Sequence, residues 1–398
     1  MPVFLNSRNS DFEKDFEKLL SSKREDSLDV DLSVREIIEA VIENGDKALI
    51  DYTQKFDRIS LTSDNLRFTE SEIEEQAAKV TDKDRKALEL AAARIEAYHK
   101  KQLPDNAFWT DESGVELGWR WSPVAAAGLY VPGGLASYPS SVLMNAIPAK
   151  VAGVRRLAIT VPTPDNKINP MVLLAAQLSG VDEIYRVGGA QAIAALAYGT
   201  KTIQPVDKIT GPGNAFVAAA KRQVFGKVGI DMIAGPSEVL VIADKTSRPD
   251  WIALDLLSQA EHDENAQSIL ITDSDNVAKA AIEQVDIILK NLSRAEIAGK
   301  SWKHNGAVIK VPDLDTAAEL SNRIAPEHLE LCVSNPEDLA KKIFNAGAIF
   351  LGHWTPEAVG DYVTGPNHFL PTSRSARFSS CLLYTSPSPR DQRGSRMP

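Results

Sequence analysis

Cysteine is nearly absent from this chain: Cys332 and Cys381 are the two in 398 residues. One pair cannot build a disulfide framework or a cysteine-based zinc site, so the fold must rest on its core, and a reducing cytoplasmic setting fits. No uninterrupted apolar run reaches the ~18 residues that a membrane-spanning helix needs. The opening MPVFLNSRNS has no basic stretch followed by an apolar one, so no signal peptide is expected. Positive charge is not in excess either. Lys+Arg number 44 against 54 Asp+Glu, a net charge of −10, which argues against a general binder of nucleic-acid backbones. The dinucleotide motif G-x-G-x-x-G follows no predicted strand. What remains is an ordinary globular composition, 43% hydrophobic and 25% charged, at a length that predicts two domains.

The first hundred residues carry helical patterns. Ser33 and Glu36 read as a capping box before Val34, Ile37, Ile38, Val41 and Ile42, and a second helix is predicted from about Asp82 to Gln102. From Val124 onward strands alternate with helices. Predicted strands are Ala127–Val131, Arg156–Val161, Glu183–Val187, Lys208–Thr210, Glu238–Ala243, Ser268–Thr272, Ala307–Val311 and Ala348–Leu351, each followed by a helical stretch or a turn. That order predicts βαβ units and parallel sheets, an α/β fold of two incomplete Rossmann-like domains.

Three of the six histidines stand in notable company. Gln259 and His262, three apart near the end of a predicted helix, can share one face and begin a metal site; a solvated helix end would look the same. Glu327 and His328 follow Pro326, which breaks the preceding helix and can fix the pair in a turn. Two groups of different intrinsic pKa suit successive proton transfers, although a polar loop is the alternative. The Gly- and Pro-rich run from Pro356 to His368 contains Asp361, an oxygen donor suited to a borderline cation, or is a surface loop. Gly133-Gly134, Gly188-Gly189 and Gly211-Pro212-Gly213 each sit at a strand-to-helix junction, where backbone N–H groups can meet a pyrophosphate or where glycine simply makes a tight turn.

Together these runs resemble histidinol dehydrogenases. The segments Gly128–Gly134, Val187–Leu196, Gly211–Asn214, Ala234–Leu240, Leu257–His262, Pro326–Leu329 and Gly360–Tyr362 match that family in order, over roughly residues 30 to 380. The resemblance implies an NAD-dependent enzyme that oxidises L-histidinol to L-histidine in histidine biosynthesis, with one Zn2+ per subunit, two NAD used in succession, and a cytoplasmic homodimer. It implies Gln259, His262 and Asp361 as zinc ligands, and Glu327 and His328 as the catalytic pair. Ser237 and His368, with Gln259, His262, Glu327, His328 and Asp361, are implied as substrate contacts, and Tyr130, Gln191 and Asn214 as NAD contacts. No nucleic-acid or membrane partner is expected.

The implied domains are a helical N-terminal segment (1–29), a discontinuous α/β domain with the metal and catalytic residues (30–125 and 237–378), and an NAD-binding α/β domain (126–236). From Cys381 the sequence CLLYTSPSPRDQRGSRMP departs from the family, which there has a helical arm bearing a glutamate and a fourth zinc-ligand histidine. Neither residue type occurs after His368. Residues 379–398 are therefore expected to be a disordered tail in place of that truncated arm. Other functions stay open: an impaired form of this enzyme, an amino-alcohol dehydrogenase of different substrate, or a zinc hydrolase using Glu327 to activate water.

Overall fold

A computed structural model describes residues 2–21, 28–133, 138–233, 235–362, 364–379 and 389–396. Side chains are not described at 28, 361, 362 and 389–396. The strands are β1 (Val3–Asn6), β2 (Ala107–Thr110), β3 (Glu116–Pro123), β4 (Ala126–Tyr130), β5 (Arg156–Thr160), β6 (Glu183–Tyr185), β7 (Lys208–Thr210), β8 (Gly229–Ile230), β9 (Glu238–Ala243), β10 (Gln267–Thr272), β11 (Ala307–Lys310), β12 (His328–Cys332), β13 (Ala348–Leu351) and β14 (Pro389–Arg396). The chain forms two compact units, one from residues 1–25, 234–361 and 370–381, the other from 26–233, 362–369 and 382–398. Among the described residues no helix is long and apolar enough to cross a membrane.

The first unit is built on a six-stranded parallel sheet in the order β1-β11-β10-β9-β12-β13. Its central strands are covered on both faces, which is why they read as continuous apolar runs. On β9, Val239, Val241 and Ala243 pack with residues of helices Pro249–Ala260, Asp275–Leu289 and Ala295–Asn305. Leu240 and Ile242 face the other way, towards Phe12, Phe16, Leu320 and Ile324 of helices Phe12–Ser21 and Leu314–Ile324.

The second unit holds a five-stranded parallel sheet, β6-β5-β4-β7-β8. Helices Leu28–Asn44, Gly189–Tyr198 and Ala215–Val224 share one core with Ala126, Tyr130 and Ile209. On the other face, Leu129, Leu157 and Ile159 pack with residues of helices Asp82–Lys100, Pro139–Ala152 and Pro170–Leu178.

Three expectations are corrected. The N-terminal segment is not wholly helical: it opens with β1, whose residues Val3–Asn6 pair with Ala307–Lys310. Residues 30–125 do not join 237–378. The apolar stripe Val34, Ile37, Ile38 and Val41 is buried in the same core as Ile193, Leu196 and Val217, so this segment belongs with the second sheet. Nor is all of 379–398 without structure: β14 pairs antiparallel with β3, Arg390 opposite Ser122. The β2–β3 hairpin leaves one edge of β3 open, and a backbone can pair there without any amphipathic pattern.

Candidate active site

In the first unit, helix Leu314–Ile324 ends at Ala325, a left-handed residue with φ 49°, and Pro326 prevents its resumption. The chain then enters β12 at His328, between β9 and β13. His328 thus opens a buried strand rather than sitting in the turn that the proline suggested. The backbone of Glu238, at the start of β9, holds both members of the expected pair. Its N–H donates to Glu327 Oε2 at 2.9 Å, and its carbonyl lies 3.0 Å from His328 Nδ1. A carbonyl only accepts, so Nδ1 carries the ring proton and Nε2 is the basic nitrogen of the neutral imidazole. Glu327 Oε2 lies 3.7 Å from Nδ1. Glu327 and His328 are both buried, so a charge developing on either is little screened by solvent.

On the far side of the ring, Glu357 Oε1 lies 3.7 Å from His328 Nε2. Glu357 is itself buried, its N–H donating to Glu330 Oε1 at 2.8 Å, with the Ser258 hydroxyl 3.4 Å from Oε2. Burial, then the neighbouring Asp255 carboxylate, raises the Glu330 carboxyl well above the ordinary range. Burial likewise pushes Asp255 up to about 6, and pushes the Cys332 thiol, 3.8 Å from Glu330 Oε2, upward. Sequence reading missed this group. Its one signal was a glutamate in the middle of the apolar run His328–Cys332.

Gln259 occupies the last turn of helix Pro249–Ala260 and is fully buried. Neither its amide oxygen nor its amide nitrogen meets a hydrogen-bond partner among the described residues. Such an amide costs on the order of a few kcal/mol unless a ligand completes it, so it fits a metal donor. His262 lies just beyond, exposed, its N–H bonded to the Gln259 carbonyl at 3.2 Å. Asp361 lies on the short helix Ala358–Tyr362, but its side chain is outside the described residues. Among those residues no three His, Cys, Asp or Glu side chains form a metal cluster. Ser237 is half-buried directly before β9, where its carbonyl accepts from the Gln267 N–H.

The second unit contains the remaining expected residues. Tyr130 ends β4, and its hydroxyl accepts from the Gly189 N–H at 3.2 Å. Helix Gly189–Tyr198 begins there without a side-chain cap. Gln191, in its first turn, is buried with Oε1 unpartnered among the described residues. An uncapped helix start beside a buried, incomplete amide fits a nucleotide. Asn214 follows β7 and spends its Oδ1 capping helix Ala215–Val224, through the N–H groups of Phe216 and Val217, both at 3.1 Å. Gly211 has φ +112°, and a Cβ there would meet the Tyr130 carbonyl oxygen at 2.1 Å, so only glycine fits beside β4. Tyr130, the Gly188–Gly189 turn and the Gly211–Asn214 loop all lie at carboxyl ends of parallel strands, the usual ligand edge of such a sheet. His368 also belongs to this unit, its Nε2 3.3 Å from Ser141 Oγ.

Two doubly covered parallel sheets, one bearing a buried Glu–His pair and the other glycine-rich turns along its carboxyl edge, define an α/β protein with two candidate ligand sites. The chain belongs to the histidinol dehydrogenase family, whose model matches residues 20–386. The match runs past Cys381, so the family's sequence does not break off there as expected, and the idea of an impaired form gains no support. The chain is 70% identical to a histidinol dehydrogenase of Ruegeria pomeroyi over 382 residues, covering 96% of this chain and 88% of that one. It is 66% identical to one from Cereibacter sphaeroides over the same shares. A crystal structure of histidinol dehydrogenase from Elizabethkingia anophelis superposes with a TM-score of 0.94 at 37% identity, covering 100% of this chain and 90% of that one.

Proposed function

We propose that this protein oxidises L-histidinol to L-histidine through the aldehyde, using two NAD in succession and one Zn2+ per subunit, as a cytoplasmic homodimer. The observation that carries the reading is the buried Glu327–His328 pair held on the backbone of Glu238, in a chain of this family. Bound NAD would supply the hydride acceptor, and bound zinc would hold and orient the amino alcohol.

The chain's own groups do the proton work. Nε2 of His328 takes the alcohol proton as the C–H bond breaks, and Nδ1 stays anchored on the Glu238 carbonyl, which keeps the ring from rotating. Oxidising the aldehyde requires an added water, and the Glu327 carboxylate, fixed by the Glu238 N–H, accepts a proton from it. Four electrons leave in two hydrides, and the water oxygen becomes part of the carboxylate. Gln259, His262 and Asp361 would hold zinc, with Ser237 and His368 contacting substrate. Tyr130, Gln191 and the Asn214 amide nitrogen, whose Oδ1 partner is spent on the helix cap, would contact NAD.

The test is NADH formation from L-histidinol, with and without added zinc. Two NADH per histidine formed is the expected yield. No NADH with zinc present would overturn the reading.

A further inference from the structure

The carboxylate behind His328 is not required by anything in the fold. A buried strand and a buried helix start can be closed with apolar side chains, and acidic groups placed there cost stability unless compensated. Here a chain of polar side chains crosses the space between β12 and helix Pro249–Ala260. Asp255 hydrogen-bonds to Glu330, Glu330 Oε1 accepts the Glu357 N–H at 2.8 Å, and Glu357 Oε1 reaches 3.7 Å from His328 Nε2. The Ser258 hydroxyl, which donates to the Asp255 carbonyl at 2.8 Å, lies against Glu357 Oε2. Among the described residues no lysine or arginine pairs with Glu330.

We propose that Glu357, whose backbone N–H is held by Glu330 and whose carboxylate lies beside the Ser258 hydroxyl, is a positioning residue for His328: its carboxylate steers the imidazole and stabilises the imidazolium formed each time Nε2 takes a proton. This rests on the reading of His328 as the base of a dehydrogenase. The geometry supports it in two ways. The ring is gripped at Nδ1 by the Glu238 carbonyl at 3.0 Å, and Glu357 Oε1 faces Nε2 from 3.7 Å, within electrostatic reach of a proton arriving there. The acidic groups are also unequal. Burial and the neighbouring Asp255 carboxylate raise the Glu330 carboxyl well above the ordinary range, which favours its uncharged form beside Glu357. The groups facing this site are Glu327 and Glu330 with Cys332 from β12 and its approach, Asp255 and Ser258 from the helix, and Glu238 from β9. A negative charge at this distance raises a histidine pKa, so the base form appears at higher pH than in its absence.

The test uses Glu357→Gln in the zinc-loaded protein. The variant keeps the side chain's shape and its backbone bond to Glu330. The His328 imidazole is followed by NMR with labelled histidine, and its signal is identified by its loss in His328→Asn. In Glu357→Gln, His328 should titrate lower by roughly one to three pH units. The acid limb of kcat/KM for L-histidinol should move to lower pH with it, kcat should fall about tenfold or more, and the KM for NAD should stay put. Glu357→Asp should recover part of the shift. An unmoved His328 titration and acid limb would overturn the proposal, whatever happens to kcat. If the unaltered protein makes no NADH from histidinol, the dehydrogenase reading fails, and the NMR titration still decides whether Glu357 sets the protonation of His328.

Discussion

Lys221 and Asp231 form an ion pair buried on both sides, and between them they hold both backbone polar groups of Gly211. Lys221 Nζ donates to the Gly211 carbonyl at 2.9 Å, and Asp231 Oδ2 accepts the Gly211 N–H at 2.8 Å. The pair therefore fixes the start of the loop that carries Asn214. Lys221→Met should cost about 3–5 kcal/mol, because it strands a buried carboxylate. The double variant Lys221→Met, Asp231→Asn should recover part of that loss and still bind NAD more weakly than the parent. Denaturation midpoints and NAD titrations check both claims, and a double variant no better than the single would contradict the pairing argument.

The two members of the proposed catalytic pair should separate kinetically. His328→Asn should slow the hydride-producing steps, whereas Glu327→Gln should chiefly block hydration of the aldehyde. Each loss should be on the order of 10²- to 10⁴-fold. Supplying the aldehyde directly distinguishes them. A Glu327→Gln protein that makes histidine at the parent rate would remove Glu327 from the mechanism.

Zinc should respond to His262 without NAD following. His262→Asn should lower zinc content and abolish turnover while leaving NAD binding intact, since Tyr130, Gln191 and Asn214 belong to the other unit. Metal analysis beside an NAD titration reads this out. Parallel loss of both ligands would mean that the substitution unfolds the protein.

Acid sensitivity should trace in part to His99. This residue is fully buried near the end of helix Asp82–Lys100, and burial pushes its imidazole down to about 4, with Gln102 opposing the shift. The unfolded chain would protonate it near 6.5. Between these values the unfolded state binds the extra proton, so the contribution is complete above about pH 6.5 and is lost as pH falls towards 4, by at most about 3 kcal/mol. His99→Leu should flatten that dependence. Urea midpoints at pH 7 and pH 5 test it, and an unchanged difference between them in the variant would rule His99 out.

The parts that could be read in the sequence are those where one residue pattern has one structural outcome. Glu238–Ala243 and Lys208–Thr210 are strands within the predicted bounds because a doubly buried parallel strand needs an apolar run. Strand β12 was not legible: it follows Pro326 and Glu327, opens with His328 and carries Glu330, all signals of a loop, and only the neighbours β9 and β13 make it a strand. Ser33 does not cap its helix, which starts at Leu28. At the site, the Glu–His pair and Gln259 stood out by motif. The grip of Glu238 did not, since a backbone contact leaves no trace in residue identity. Nor did Glu357, whose meeting with His328 depends on how the short helix after β13 returns to β12.

The pairing of β1 with β11 has a consequence for how the chain is made. Val3–Asn6 can find their partner only after Ala307–Lys310 have been synthesised. At ordinary elongation rates that is a wait of roughly 15–60 seconds for a strand whose Val3 and Phe4 side chains are exposed even when folded. All five strands of the second sheet lie between residues 126 and 230, so that sheet can form while the N-terminus is still waiting. During this interval the unpaired strand would trail from a nascent chain whose second sheet can already have formed. Attachments or stalls that lengthen the interval should therefore harm yield more than they harm the finished protein.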